Sequence, residues 1–241
     1  MKLQIISDLH SEVYYPDPQR LLDRIEIVPD LDFLVIAGDL VVPMKQPELY
    51  CQAVFEHFSK KARHVIYVEG NHEYYGGNPS VVGMRLTRLM PSNFHWLINT
   101  AETIDGVHFY GGTMWFNNAD QMNFFYRKYM NDFHQIGGLE PWVYEVNKAF
   151  TEKAFENVTK DTIVVTHHLP HGNSTPPEYR GDQMNRFFLC DQTKLIEEKQ
   201  PRLWLHGHTH QSCDYTLGDP QYGTTLLICN PLGYPFELKT N

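Results

Sequence analysis

Five short apolar runs along the chain end abruptly in glycine or a polar residue: LQIIS before Asp8, FLVIA before Gly38, HVIYVE before Gly70, TIVVT before His167 and RLWLH before Gly207. Nearly continuous runs of this length, rich in β-branched residues and bounded in this way, predict strands buried on both faces. Between the first two, residues 17–28 place Leu21, Leu22 and Ile25 on one helical face, with Pro18 near the first turn. Residues 47–61 repeat the arrangement with Leu49, Ala53, Val54 and Phe58. Strand, helix, strand, helix, strand makes the strands parallel, and parallel strands bring all their C-terminal ends to one edge of the sheet. The polar strand endings therefore gather where open α/β sheets bind ligands.

From Thr113 to Asn157 the pattern changes to aromatics interleaved with amides, followed by a helical stretch from about Pro141. A long irregular excursion inside a compact domain is usually functional, and residues 113–157 are expected to form a flap over the site. After Cys229, the residues Pro231, Gly233 and Pro235 predict a turn and a final short strand. With no repeat, low-complexity tract or Pro/Ser-rich linker, residues 1–241 read as one domain.

A net charge of -9 disfavours partners held by nucleic-acid phosphates, although a local positive site is compatible with it. Cys51, Cys190, Cys213 and Cys229 form no CxxC pair and fit reduced thiols in a cytoplasmic protein. The N-terminus meets Asp8 and His10 too early for a signal peptide, and no apolar run reaches membrane-spanning length. The 13 histidines matter for their places. Asp8 and His10 stand two apart at the first strand end, where an extended chain would point both to one side. Asp39 follows Gly38, Asn71 and His72 follow Gly70, and His167, His208 and His210 stand at later strand ends. Carboxylates, imidazoles and one amide oxygen, without thiolate, suit divalent manganese, iron or zinc.

In order, the blocks DLH, GDL, GNHE, THH and GHTH resemble the five signature blocks of the calcineurin-like metallophosphoesterase superfamily, and they run from Asp8 to His210. The resemblance implies a four-layer α/β/β/α sandwich with its site at strand C-terminal ends. It places Asp8, His10, Asp39 and His210 on one metal ion and Asp39, Asn71, His167 and His208 on the other, with Asp39 bridging. It makes His72 no ligand but the proton donor or charge stabiliser beside the leaving group. The cofactors it implies are two divalent ions, manganese ahead of iron or zinc. The activity it implies is hydrolysis of a small phosphomonoester or phosphodiester by in-line attack of a metal-bridging hydroxide.

The chain departs from the Ser/Thr protein phosphatases of the superfamily. LVVP follows Asp39 where those enzymes carry a GDxxDRG block, so both the phosphate-binding arginine and the carboxylate that orients the catalytic histidine are missing there. The likeness is closer to compact bacterial phosphatases and phosphodiesterases. Two alternatives belong to other classes: a metal-free interaction scaffold, and a DNA nuclease, which the acidic balance disfavours. His168, Asn117, Asn131 and Asp132 are candidate substrate contacts. Glu73 reads as a partner of the site or as a helix-start carboxylate, the latter needing no special function, and His206 reads as a satisfied core histidine.

Overall fold

The computed structural model describes residues 1–117, 122–221 and 223–237. The first half of the chain builds a parallel sheet in the spatial order β1 (Leu3–Ile6), β2 (Leu31–Ala37), β3 (Ala62–Val68) and β4 (Phe94–Trp96). Helices α1 (Gln19–Leu22), α2 (Glu48–Ser59) and α3 (Pro79–Leu89) connect these strands. The second half builds a six-stranded sheet in the order β5 (Thr100–Ile104), β6 (Val107–Gly112), β7 (Ile163–Thr166), β8 (Leu203–His206), β10 (Gly223–Cys229) and β9 (Cys213–Asp219). Its outer strands β5 and β9 are antiparallel to their neighbours and the four between them are parallel. Helices α4 (Met122–Tyr126), α5 (Asp132–Gln135) and α6 (Leu139–Asn157) lie between β6 and β7, and α7 (Thr193–Lys199) precedes β8.

Side chains alternate between the two faces of a strand, so each apolar run feeds two cores. Phe33, Val35, Ala37, Ile66 and Val68 meet Phe109, Ile163, Val165 and Leu205 between the sheets. Leu34, Ile36, Val65 and Tyr67 face outward onto Val54, Phe55, Phe58 and Leu86 of α2 and α3. On the far side Tyr110, Val164, Trp204 and Leu227 pack on Phe150, Ala154, Leu195 and Ile196 of α6 and α7. The result is the α/β/β/α sandwich. Complete burial of each such side chain contributes about 1.5–3 kcal/mol. The register keeps the strand ends level, with Ile6 opposite Ile36, Ala37 opposite Val68 and Gly112 opposite Thr166. The candidate residues that follow these strands therefore share one rim.

Three local expectations change. The helix expected over residues 17–28 stops after Leu22, because Gln4 takes over the chain beyond it: its side chain donates to Glu26 O and accepts from Val28 N–H. In α2 the buried face is Tyr50, Cys51, Val54, Phe55 and Phe58, while Leu49 is 80% exposed and Ala53 is exposed too. Tyr50 fixes that rotation, since its hydroxyl donates to Ser11 O at 2.7 Å. No final strand follows β10 among the described residues. Instead Pro231 bridges Ser7, Leu232 and Gly233 donate to Ser7 O and Asp8 O, and the tail to residue 237 runs across the rim.

Segment 113–157 is more regular than a loop. Met114, Trp115 and Phe116 are buried, α5 sits behind the rim and α6 carries the outer layer; Asn118, Ala119, Asp120 and Gln121 lie outside the described residues. All four cysteines are free thiols. Among the described residues no helix is long and apolar enough to cross a membrane.

Candidate metal centre

The strand ends curl rather than continue. Asp8, His10, Asp39, His208 and His210, five of the seven candidate ligands, have φ between 46° and 74°. Non-glycine residues reach this left-handed region at a cost of about 1–3 kcal/mol each and keep it where the surroundings enforce it. Asp8 and His10 thus converge through a turn, and not through the extended i, i+2 geometry expected from sequence. Hydrogen bonds from Asp8 N to Gly38 O and from His10 N to Asp39 O lace the first two turns together. Close approach explains the two glycines beside them. A Cβ on Gly38, where φ is 88°, would overlap the His167 ring, and one on Gly70 would overlap the Asp39 carboxylate.

All seven candidates meet in one place. Donor atoms of Asp8, His10 and His210 lie within 4.8 Å of one another, as do those of Asp39, His167 and His208. Asp39 Oδ2 stands between the groups, 3.7 Å from His10 Nε2 and 3.4 Å from His167 Nε2. Asn71 Oδ1 lies 3.1 Å from His167 Nε2.

The outer atoms of the rings decide what the inner atoms can do. His10 Nδ1 is taken by Glu12, His210 Nδ1 by Glu237 and His167 Nδ1 by Ala37 O. Each Nε2 is left facing the centre. His10 Nε2 and His210 Nε2 are 2.9 Å apart, His167 Nε2 and His208 Nδ1 are 3.0 Å apart, and buried His208 Nε2 has no hydrogen-bond partner among the described residues. Lone pairs crowded in this way attract either an extra proton or a cation. Two divalent ions fit this donor set, with carboxylate, imidazole and amide oxygen facing one another and the outer ring atoms of His10, His167 and His210 already held.

Electrostatics point the same way. Burial alone would favour neutral Asp39, but the charges of His167 and His72 outweigh it and hold the carboxyl well below its usual range. Burial opposes a charge on His167 too, yet Asp39 pushes it up to about 10. A bound ion needs neutral imidazole, so metal uptake near neutral pH must expel that proton, and affinity should rise with pH until about 10. Calorimetric titration of the metal-free protein in buffers of different ionisation enthalpy is expected to show net proton release. Buffer-independent heats would contradict it.

A set of residues around the centre holds it in place, and residue pattern alone points to few of them. Glu73 is wholly buried and accepts from Asp39, Leu40 and Gly70 N–H at 3.1, 2.6 and 2.7 Å and from the Tyr67 hydroxyl at 2.9 Å. Burial and the Asp39 charge push its carboxyl up to about 7. Tyr234 stacks on His10 with centroids 4.3 Å apart, and its hydroxyl lies 3.3 Å from His72 Nε2. Tyr234 sits on the chain tail, far in sequence from both partners, where no spacing rule reaches. For Glu12 a signal existed: it stands two residues beyond His10 in DLHSE. Its Oε1 lies 2.8 Å from His72 Nδ1.

The four candidate substrate contacts fall in different places. Asn131 lines a cavity of about 550 Å³ that opens over Asp39, Asn71, His72, His208 and His210. Asp132 is buried behind Asn71, where it accepts from the amide Nδ2 at 2.8 Å and from the Tyr75 hydroxyl at 2.7 Å, turning Asn71 Oδ1 toward the centre. His168 is buried with its ring 4.2 Å from that of His208 and against Trp115, away from the cavity lining. Asn117 is exposed, accepts from Asn147 Nδ2 and also lies outside the lining. His206 is a satisfied core histidine, with Nε2 2.8 Å from Ser174 Oγ and Nδ1 3.0 Å from Gly207 O.

Comparison with known proteins agrees with this geometry. An uncharacterized protein of Acanthamoeba polyphaga mimivirus, L509, is 27% identical over an alignment 269 positions long with its gaps, which covers 98% of this chain and 92% of that protein. Phosphopantetheinyl hydrolase (PptH) from Mycobacterium tuberculosis superposes with a TM-score of 0.69 at 14% identity, over 97% of this chain and 90% of that one. TT1561 of Thermus thermophilus superposes with a TM-score of 0.50 at 14% identity, over 95% and 88%. At these identities the two structures share the fold alone. The family model described as calcineurin-like phosphoesterase matches residues 1–212, and with its candidate metal clusters at the strand ends the chain belongs to that family.

Proposed function

We propose that the protein hydrolyses a phosphomonoester or phosphodiester of modest size with two divalent ions, manganese ahead of iron or zinc. Asp8, His10, Asp39 and His210 hold one ion, and Asp39, Asn71, His167 and His208 hold the other. When bound, such a pair neutralises phosphoryl oxygens and activates water for in-line attack. The observation that carries the reading is the cluster of imidazole nitrogens around Asp8 and Asp39, in which the rings of His10, His167 and His210 are each fixed from behind by a hydrogen bond to Nδ1.

The chain's own residues divide the remaining work. His72 reaches the same centre, donating its backbone N–H to Asp39 Oδ1 at 2.9 Å. Burial disfavours a charged His72, but the Asp39 charge and the hydrogen bond to Glu12 outweigh it and raise its pKa to about 9 in the metal-free site. A bound cation pair would pull that value back toward neutrality, the range in which a proton donor is most effective. Among the described lining residues there is no lysine or arginine, so phosphate recognition falls to the ions and His72. Tyr75, Tyr129, Tyr179, Phe188, Asn131 and Asn185 offer the organic part of a substrate aromatic faces and amides, in a volume suited to a small molecule.

The test is direct. Purified protein is expected to hold close to two metal ions per chain by elemental analysis, and to cleave p-nitrophenyl phosphate or its bis ester with manganese, iron or zinc. Chelation should abolish turnover and metal should restore it. Folded protein that binds stoichiometric metal yet turns over neither ester would count against hydrolysis. Protein that purifies and stays metal-free would favour a scaffold, and salt-sensitive cleavage of single-stranded DNA would favour a nuclease.

A further inference from the structure

Resting on the phosphoesterase reading above, the geometry points to Glu12 as the positioning residue for His72, in the role left vacant by the missing block after Asp39. LVVP follows Asp39, so no carboxylate arrives from that turn to orient the histidine. Glu12 arrives from the turn after β1 instead. Its side chain is 22% exposed and that of His72 16%. One oxygen, Oε1, lies 2.8 Å from His72 Nδ1 and 3.1 Å from His10 Nδ1.

The consequences are definite for both rings. A carboxylate can only accept, so both Nδ1 atoms carry their protons toward Glu12 and both Nε2 atoms are turned inward. His10 thereby offers Nε2 to the candidate metal centre. His72 offers Nε2 to the cavity beside the Tyr234 hydroxyl, while its ring is held face-on by Tyr75 with centroids 4.2 Å apart. During hydrolysis the attacking water oxygen forms the new bond to phosphorus and loses a proton to solvent. The bond to the leaving oxygen breaks with its electron pair on that oxygen, which takes the Nε2 proton of His72. His72 is left neutral with Nδ1–H still on Glu12 and recovers its Nε2 proton from solvent. Glu12 touches no substrate atom in this scheme.

The experiment compares wild type, Glu12→Gln, Glu12→Ala, His72→Ala and the double variant Glu12→Ala/His72→Ala, each loaded with manganese and checked for metal content. With phenyl esters, which leave poorly, Glu12→Ala is expected to lower kcat by about 10²-fold, and with 2,4-dinitrophenyl esters by less than about tenfold, since only a poor leaving group needs the proton. KM should stay within about threefold of wild type, as expected when an interaction of the transition state is removed. Glu12→Gln should fall between, because its amide oxygen still accepts. The double variant should be no slower than His72→Ala alone. Equal losses from Glu12→Ala in the wild-type and His72→Ala backgrounds would overturn the inference, as would a loss that simply follows lost metal. Nitrogen NMR of the zinc-loaded protein gives a readout independent of turnover: neutral His72 should carry its one proton at Nδ1 in wild type and lose that preference in Glu12→Ala. If wild type hydrolyses no ester with any metal, the phosphoesterase reading falls by itself. The tautomer of His72 then still decides whether Glu12 orients it, and an Nδ1 without a proton would refute that.

Discussion

Asp39→Ala is expected to fold and to hydrolyse phosphate esters at least about 10³-fold more slowly than wild type, because removing even one transition-state hydrogen-bond donor typically costs about 10²–10³-fold. Asp39 does more than one donor. Its Oδ2 stands between the two histidine groups and its Oδ1 accepts the His72 backbone N–H. Alanine removes the shared anion from both candidate metal sites and loosens His72. Elemental analysis should show the metal content fall from two ions to one or fewer. Wild type should gain thermal stability when metal is added, since an ion that binds only the folded state shifts the folding equilibrium, and the variant should lose most of that gain. Asp39→Asn keeps an oxygen without the charge and should fall between. An alanine variant with two bound ions and near-normal turnover would remove Asp39 from the centre of the scheme.

Glu73→Ala should damage the fold before it damages the chemistry. Alanine leaves the N–H groups of Asp39, Leu40 and Gly70 and the Tyr67 hydroxyl without their acceptor in a dry interior. Each stranded donor costs about 1–3 kcal/mol, so a loss of about 4 kcal/mol or more is expected. Typical domains have about 5–15 kcal/mol in total, and the variant should therefore be poorly soluble or unfold at much lower denaturant. Glu73→Gln retains one acceptor but turns an NH2 group toward remaining N–H donors, so an intermediate loss is expected. Urea unfolding of metal-free protein measures this without interference from metal affinity. Stability of the alanine variant within about 1 kcal/mol of wild type would mean that water replaces the carboxylate.

The five apolar runs determined β1, β2, β3, β7 and β8 of the ten strands, and their abrupt polar endings determined which residues could meet, because parallel strands have no choice about the edge on which they end. Residue type also limited the chemistry, since aspartate, histidine and asparagine without cysteine define a set of metals. These are local properties of the chain, and periodicity and composition carry them. What the tertiary structure decided is how the rims curl and what stands behind each ligand. Left-handed turns at Asp8, His10, Asp39, His208 and His210 are compelled by contacts between different turns, and no residue pattern encodes them.

The supporting residues show the same limit. Asp132 reads from sequence as a cavity residue among amides and aromatics, yet it lies behind Asn71, 61 positions away in the chain. Tyr234 reaches His10 and His72 only because the tail pairs with Ser7 across the rim. Glu12 stands two residues from His10 in sequence, but its partner His72 is 60 residues distant, and only folding brings one carboxylate oxygen within reach of both rings. The identity of the candidate ligands follows from short-range chemistry written along the strands, whereas their orientation follows from long-range hydrogen bonds that exist only once the two sheets have packed.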